Sequence, residues 1–173
     1  MARGKEDIDQ LAHEARQFLA SFKTLLMSTV SAEGAPEASY APFVRMDDDC
    51  FYIYVSQLSK HTANIEATRT TSILFIEDER DAQQLFARKR LTFDCRAELI
   101  ERESEDWKSI MKIFERRFGN IMEMIRPLQD FKLFRIRPQG GIYVKGFAQA
   151  YRVSGAKLDS FQHIRTSGTS SKG

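Results

Sequence analysis

Ser59-Lys60-His61-Thr62 is the stretch of the sequence best suited to binding an anion. It follows a strand pattern and opens a short helical pattern, so Ser59 falls at the start of a helix. Free backbone N–H groups at a helix start, together with a hydroxyl and a lysine, favour a phosphate or a carboxylate. A purely structural interpretation fits equally well: Ser59 caps the helix while Lys60 and His61 are solvated. Both interpretations stand on the chemistry alone.

Arg88-Lys89-Arg90 is a second candidate anion site. It lies at the start of a long predicted strand, 87–101, in which alternation places Arg88 and Arg90 on one polar face and Lys89 on the other. Two guanidinium groups on one face can hold a carboxylate or phosphate through paired hydrogen bonds. The alternative is a pair of surface cations near the acidic segment 77–81.

Ser39-Tyr40-Ala41-Pro42-Phe43 is a third candidate, with small residues beside aromatic ones on a predicted strand. Pro42 cannot donate a ladder hydrogen bond, which predicts a sheet edge or a bulge there. Such an irregular strand would let a planar ring lie against the backbone. Simple packing explains the same residues.

The sequence lacks the common catalytic signatures: a glycine-rich phosphate loop, a nucleophile elbow and a helical pair of metal-binding histidines. Having only His13, His61 and His163 argues against a three-histidine metal site. Cys50 and Cys95 stand alone, which favours reduced thiols packed in the core over a disulfide or a zinc site.

Hydrophobic periodicity predicts the elements that must position these candidates. An apolar stripe at spacings of three and four predicts an N-terminal helix, and further helices are predicted over 60–68 and from Ser104 to about Leu128, broken at Gly119. Strands are predicted over 24–30, 37–46, 50–56, 72–77, 87–101, 131–137 and 141–153, with Pro138-Gln139-Gly140 as the last turn. This order predicts a mainly β fold, an antiparallel barrel with flanking helices. We expect one domain, 1–163, that includes the N-terminal helix, and a flexible tail, 164–173.

Several predicted strands are apolar on both faces, among them 72–77 with Leu74, Phe75 and Ile76. A small monomeric barrel should have one wet face, so a second buried surface is needed. A second copy of the chain is the simplest way to provide it, which predicts a homodimer.

Composition excludes several classes of protein. Apolar residues make up 42% and charged residues 29% of the 173, as in a globular domain. A net charge of +2, from 26 basic and 24 acidic residues, gives no general attraction to nucleic acid. The first ten residues carry no secretory pattern, and no stretch approaches the roughly 20 apolar residues of a membrane helix. We therefore expect a cytoplasmic protein without nucleic-acid or membrane partners.

Taken in order, these segments resemble the haem-utilisation HutZ/HugZ-like proteins, a branch of the pyridoxamine-phosphate-oxidase-like split barrels. The resemblance runs from about Lys5 to His163. Its most specific stretches are 39–44, 59–65, 75–79, 85–94, 128–131 and 144–147. It implies a six-stranded antiparallel split β-barrel, a homodimer, and a ligand cleft at the subunit interface. The implied function is haem binding in haem and iron utilisation, with oxidative, haem oxygenase-like degradation as a further expectation.

The resemblance also assigns roles to residues. In the flavin-binding relatives, the stretch that matches 59–62 and nearby basic residues hold the phosphate of FMN; in the haem branch the same cleft binds haem b, lined by His61 and Arg90. Asp130 matches an aspartate that hydrogen-bonds the partner subunit's axial histidine. The aligned position of that histidine is Gly168 here. His163 is the nearest histidine and thus the candidate iron ligand, with water, His61 or no protein ligand as alternatives.

Two other functions stay open at this point. One is an FMN-dependent oxidoreductase of the wider superfamily, and the other is a haem carrier that does not degrade haem. A catalytic role would also require an electron donor.

Overall fold

The computed structural model describes residues 2–154 and 160–164. Within them the chain forms four α-helices, eight strands and one short 3₁₀ turn, Leu85–Ala87. The helices are α1 (Ala2–Ala20), α2 (Lys60–Thr68), α3 (Glu105–Phe118) and α4 (Ile121–Ile125). The strands are β1 (Thr24–Val30), β2 (Pro36–Arg45), β3 (Phe51–Ser56), β4 (Thr70–Ile76), β5 (Arg90–Ile100), β6 (Phe131–Gly146), β7 (Gln149–Ser154) and β8 (Ser160–His163).

Six strands close into a barrel, which confirms the predicted fold. They pair in the order β3-β2-β1-β4-β5-β6, and a further pairing of β3 with β6 closes the ring. Every pairing is antiparallel. The strands β7 and β8 extend the sheet beyond β6.

The barrel is split at β2, which changes its partner at Pro42. Residues 36–42 pair with β1, whereas 43–45 pair with β3. Proline has no N–H for the second ladder, so the change of partner falls where the sequence predicts an irregularity. Helix α2 lies beside the split, and the Asn64 amide donates to Thr29 Oγ1 at 3.0 Å and to Glu37 Oε2 at 3.1 Å.

The side chains of β3 belong to two cores, as its alternation predicts. Phe51, Ile53 and Val55 point into the barrel, where aromatic rings from neighbouring strands and one face of α1 pack against them. Tyr52 and Tyr54 point outward into a second core that α3 and α4 cover. Helix α3 starts as predicted, with the Ser104 hydroxyl accepting from Trp107 N at 3.1 Å, and ends at Gly119 with φ 66°.

The predicted turn at Pro138-Gln139-Gly140 is wrong, because β6 runs through it as one strand with a bulge opposite Asp94 and Cys95. Gly141 makes this continuity possible: a Cβ there would lie 2.2 Å from the Thr92 carbonyl oxygen. The chain turns later, at Phe147 and Ala148. Strand β8 was not predicted. Ile164 N donates to the Ala150 carbonyl at 2.8 Å, while the rest of the predicted tail, 165–173, lies outside the described residues.

One surface of the barrel wall, which we call the outer face, is not covered by any other part of residues 2–154 and 160–164. Strand registers place a row of six residues across it: Tyr40, Leu26, Leu74, Thr92, Ile142 and Arg152. Tyr40 is 65% exposed, Leu26 45% and Ile142 44%. Leu74 and Ile76 are only half-buried, so the predicted burial of both faces of β4 is not reached within one chain.

Candidate functional site

The start of α2 has polar groups that the fold does not use. Ser59 is the N-cap residue with extended backbone, φ −84° and ψ 132°, but its side chain makes no capping hydrogen bond. Lys60 is exposed. Thr62 differs, because it is fully buried and its hydroxyl donates to the Ser56 carbonyl at 2.6 Å. The Ser59 hydroxyl and the Lys60 ammonium are therefore available to an anion, whereas Thr62 fixes the helix to β3.

His61 is only 8% exposed, and its Nε2 has no hydrogen-bond partner among the described residues. Burial lowers the pKa of His61, and the nearby Glu37 carboxylate opposes that shift only in part. The imidazole is therefore neutral at pH 7, with a polar nitrogen held away from water. Buried polar atoms normally have partners, so this nitrogen points to a group that completes the site.

Asp130 is tied to the same end of β3. Its Oδ2 accepts from the Ser56 hydroxyl at 2.7 Å, and its carbonyl accepts from Gln57 N at 2.7 Å. The Ser56 oxygen also accepts from Leu58 N at 3.1 Å. The structure thus brings Asp130 to the helix start that the sequence marks for anion binding. We call Ser56, Ser59, Lys60, His61 and Asp130 the α2 group.

Arg102 holds the turn that carries Asp130. Its guanidinium donates to the carbonyl oxygens of Arg126, Leu128 and Phe131 at 2.5, 3.1 and 3.4 Å. It also stacks on the Trp107 ring at 5.3 Å. Neither Ser56 nor Arg102 was a predicted site residue. The hydroxyl at the end of β3 was visible in the sequence, but its partner is 74 residues away.

The β2 segment divides between two faces. Tyr40 and Pro42 are exposed, whereas Ala41 is buried and Ser39 half-buried on the inward side. The Ser39 hydroxyl oxygen is buried and has no hydrogen-bond partner in the part of the chain that the structure describes. A planar ligand on the outer face can therefore lie against Tyr40 and Pro42, while Ala41 offers only its backbone.

Arg88 and Arg90 do not share a face of β5, because the strand begins at Arg90 and Arg88 precedes it. The Arg88 guanidinium donates to the Glu77 carbonyl and pairs with Glu79 at 3.3 Å, so it fixes the acidic loop, as in the alternative interpretation. Among the described residues the Arg90 side chain makes one hydrogen bond, to the Arg88 carbonyl at 3.2 Å. Its charge stays available.

Arg90 lines a cavity of about 570 Å³ on the outer face, which we call the arginine cavity. Its lining residues are Arg90, Thr92, Asp94, Gln139, Gly140, Gly141, Ile142, Arg152, Val153 and Ser154. The strands β1 and β4 lie between Tyr40 on β2 and this cavity, which β5 to β7 line, so Tyr40 is three strand spacings from β5. At about 4.8 Å per strand, Tyr40 is about 14 Å from Thr92 across the sheet. A single chain therefore does not gather all the predicted site residues in one place.

His163 lies on β8, apart from the α2 group. Its Nε2 is 3.1 Å from the Ala148 carbonyl and must donate to it, and its ring packs edge-on against Tyr151 at 5.1 Å. It lines a separate cavity of about 470 Å³ together with α1 residues such as Leu11 and Glu14. Across residues 2–154 and 160–164, no three His, Cys, Asp or Glu side chains are arranged to hold a metal ion. Gly168 lies outside the described residues.

The fold is thus a six-stranded antiparallel split barrel with flanking helices. The model of the family described as pyridoxamine 5'-phosphate oxidase matches residues 11–145, and the chain belongs to this family. It is 46% identical to the haem oxygenase HutZ of Vibrio cholerae over an alignment of 155 residues. This alignment covers 90% of this chain and 88% of HutZ.

Solved structures are similar to this chain in the same way. The crystal structure of Vibrio cholerae HutZ, described as a haem storage protein, superposes with a TM-score of 0.72 at 41% identity, over 83% of this chain and 96% of HutZ. Campylobacter jejuni ChuZ superposes with a TM-score of 0.80 at 33% identity, over 90% of this chain and 63% of ChuZ. The predicted HutZ-like family is thereby confirmed. No helix of the described residues is long and apolar enough to cross a membrane.

Proposed function

We propose that this chain binds haem b in haem and iron utilisation, at a cleft formed by the α2 group, the β2 segment and Arg90. The main observation is that two of the three buried polar side-chain atoms without a hydrogen-bond partner among the described residues, His61 Nε2 and Ser39 Oγ, belong to these segments, and that the Ser59 hydroxyl makes no capping bond. These atoms call for a ligand, and the similarity to HutZ supports haem as that ligand.

The residues fit a planar dicarboxylate. Tyr40 and Pro42 offer an exposed surface for a flat ring, and Lys60 and Arg90 offer cations for carboxylates. His61 is neutral and Ser56 orients the Asp130 carboxylate. When bound, haem would supply an iron at which oxygen can react, provided that one axial side stays open. Oxidative degradation would also need electrons from a donor protein or small reductant.

We propose a homodimer, located in the cytoplasm, in which the outer faces of two copies pack together. The support is the uncovered row of Tyr40, Leu26 and Ile142, and the separation of the α2 group from Arg90 within one chain. A second copy would cover the row and could complete each cleft. Light scattering at micromolar concentration should give about twice 19.9 kDa. A monomer would exclude both the dimer and a cleft between subunits.

We propose His163 as the side chain to test first for iron ligation, since Gly168 stands at the expected position. Ligation through Nε2 would require loss of the bond to Ala148. If His163 is the ligand, His163→Ala shifts the Soret maximum and weakens haem binding; an unchanged spectrum removes it from the site. Gly168→His is the converse test, because it should restore a partner for Asp130 and give more tightly held, six-coordinate haem.

FMN is the second candidate cofactor, favoured by the family and by the α2 start, whose free N–H groups and Ser59 hydroxyl suit a phosphate. Separate titrations with haem and with FMN decide between them. Haem binding gives one intense Soret band, and FMN gives a two-band flavin spectrum. Failure of both ligands to bind would reject the proposal.

A haem carrier and a haem oxygenase differ in what happens after binding. With a reductant and oxygen added, an oxygenase should lose its Soret band as the macrocycle opens. A carrier should keep it. Ascorbate, with catalase present to remove free peroxide, is a suitable reductant for this test.

A further inference from the structure

The arginine cavity contains a second arginine that sequence reasoning did not single out. Arg152 on β7 lines the same cavity as Arg90 on β5. The registers Thr92↔Ile142 and Ile142↔Arg152 place Arg152 on the outer face, the face that also carries Arg90. Both cations therefore point into the same space.

Neither charge is neutralised within residues 2–154 and 160–164. Arg152 is exposed and makes no ion pair or hydrogen bond with any of them, and Arg90 bonds only to a carbonyl. Asp94 is the one acidic residue that lines the cavity, and it makes no ion pair with another described residue. It lies four residues along β5 from Arg90, about 13 Å away. The cavity therefore has a net positive charge.

The spacing of the two arginines matches a ligand with more than one anionic oxygen. Arg152 is two strands from β5 and two residues out of register with Arg90, so their Cα atoms are about 12 Å apart. Thr92 and Ile142 lie between them on the outer face, and Gly140 and Gly141 continue this surface from Ile142 toward Asp94. Two long side chains can thus hold the charged groups of a ligand whose flat part lies over Ile142 and the two glycines.

We infer that Arg152 is a second cationic contact of the ligand, and that Arg90 and Arg152 together bind its anionic oxygens. The shared chemistry is a planar ring system that carries either two carboxylates, as in haem, or a phosphate, as in FMN. This inference rests on the proposed function, since it adds a contact to the proposed cleft. Arg152 then selects ligands by their charged groups.

The experiment compares each ligand with an analogue that lacks its charges. The wild-type protein, Arg152→Ala and the control Arg116→Ala are titrated with haem and with haem dimethyl ester. Arg116 is an exposed arginine on α3, away from the cavity, so its loss changes the net charge equally. We expect Arg152→Ala to weaken haem binding about fivefold or more, and to leave the affinity for the ester within about twofold. Arg116→Ala should change neither.

Arg152→Lys keeps a cation without the planar fork, so it should retain part of the affinity that Arg152→Ala loses. The same titrations with FMN and riboflavin distinguish the two ligands. If Arg152→Ala loses affinity for FMN but not for riboflavin, Arg152 contacts the phosphate. Unchanged haem and FMN affinities in Arg152→Ala would overturn the inference. So would an equal loss for haem and its ester, since Arg152 would then act through folding or subunit contact. If the wild-type protein binds none of the four compounds, the proposed function itself fails.

Discussion

The α2 group and the arginine cavity lie on different parts of one barrel wall and differ in what holds their side chains. In the α2 group, Asp130 is fixed by Ser56, by Gln57 N and by the turn that Arg102 supports. In the arginine cavity, Arg90 has one hydrogen bond and Arg152 has none among the described residues. Asp130 is therefore held in place by the fold itself, whereas the two cationic side chains of the arginine cavity are held by almost no contacts. Changes to Asp130 or to the residues that hold it should therefore affect stability, and changes in the arginine cavity should affect binding.

Arg102→Ala should have the largest effect, because it removes three hydrogen bonds to carbonyl oxygens and the stacking on Trp107. We expect the free energy of unfolding to fall by about 3 kcal/mol, as measured by urea denaturation. Arg116→Ala is the control and should change it by less than about 0.5 kcal/mol. Equal stability of the two variants would contradict the role given to Arg102.

Arg90→Ala should affect ligand binding rather than stability, in contrast to Arg102→Ala. We expect a loss of roughly 1.5–3 kcal/mol in haem or FMN binding, because a charge-assisted hydrogen bond is removed. Its free energy of unfolding should stay within about 0.5 kcal/mol of wild type. Calorimetric titration and urea denaturation of one preparation give both numbers. Unchanged affinity for both ligands in Arg90→Ala and in Lys60→Ala would identify these residues as ordinary surface charges.

Ser56→Ala should have a smaller effect, which we expect on both stability and ligand binding. It leaves Asp130 Oδ2 and Leu58 N without their partner, which we expect to cost about 1 kcal/mol of stability. It also frees the Asp130 carboxylate to rotate, so ligand spectra should broaden or shift. Ser59→Ala is the matched control, since its hydroxyl makes no capping bond, and should leave stability nearly unchanged.

His61→Gln should have the smallest effect on stability, visible in its pH dependence. Burial lowers the pKa of His61, so the unfolded chain binds more protons between that lowered pKa and the ordinary value near 6.5. Wild-type stability should therefore fall as the pH drops below about 6.5, and the variant should show a flatter profile. His13→Gln, at an exposed position on α1, should keep the wild-type slope. Parallel profiles for wild type and His61→Gln would contradict the assignment.

Elements set by local chemistry were predictable. The bounds of α2, the cap at Ser104 and the two faces of β3 all follow from residues close together in the sequence. The continuity of β6 was not, because it depends on Gly141 meeting Thr92 on another strand. The turn at Phe147 and Ala148 has no typical turn residue at its two central positions, and Gly146 before them was not a sufficient signal.

The candidate site also has a part that the sequence predicts and a part that it does not. The α2 start could be predicted from a hydroxyl and a cation at a helix boundary. The roles of Ser56, Arg102 and Arg152 depend on partners or registers far along the chain, which alternation alone does not give. Arg88 shows the opposite case: the sequence predicts it as a site residue, but in the fold it pairs with Glu79 of the acidic loop.

The change of partner at Pro42 has a consequence for hydrogen exchange. Residues 36–42 have a strand on one side only, so every second amide there lacks a strand partner, whereas β5 is paired on both sides. Amides of 37–41 should exchange with solvent through small local openings, while those of β5 should exchange only when the barrel opens as a whole. The split beside α2 can then widen at a free energy well below that of global unfolding, while the rest of the barrel stays closed.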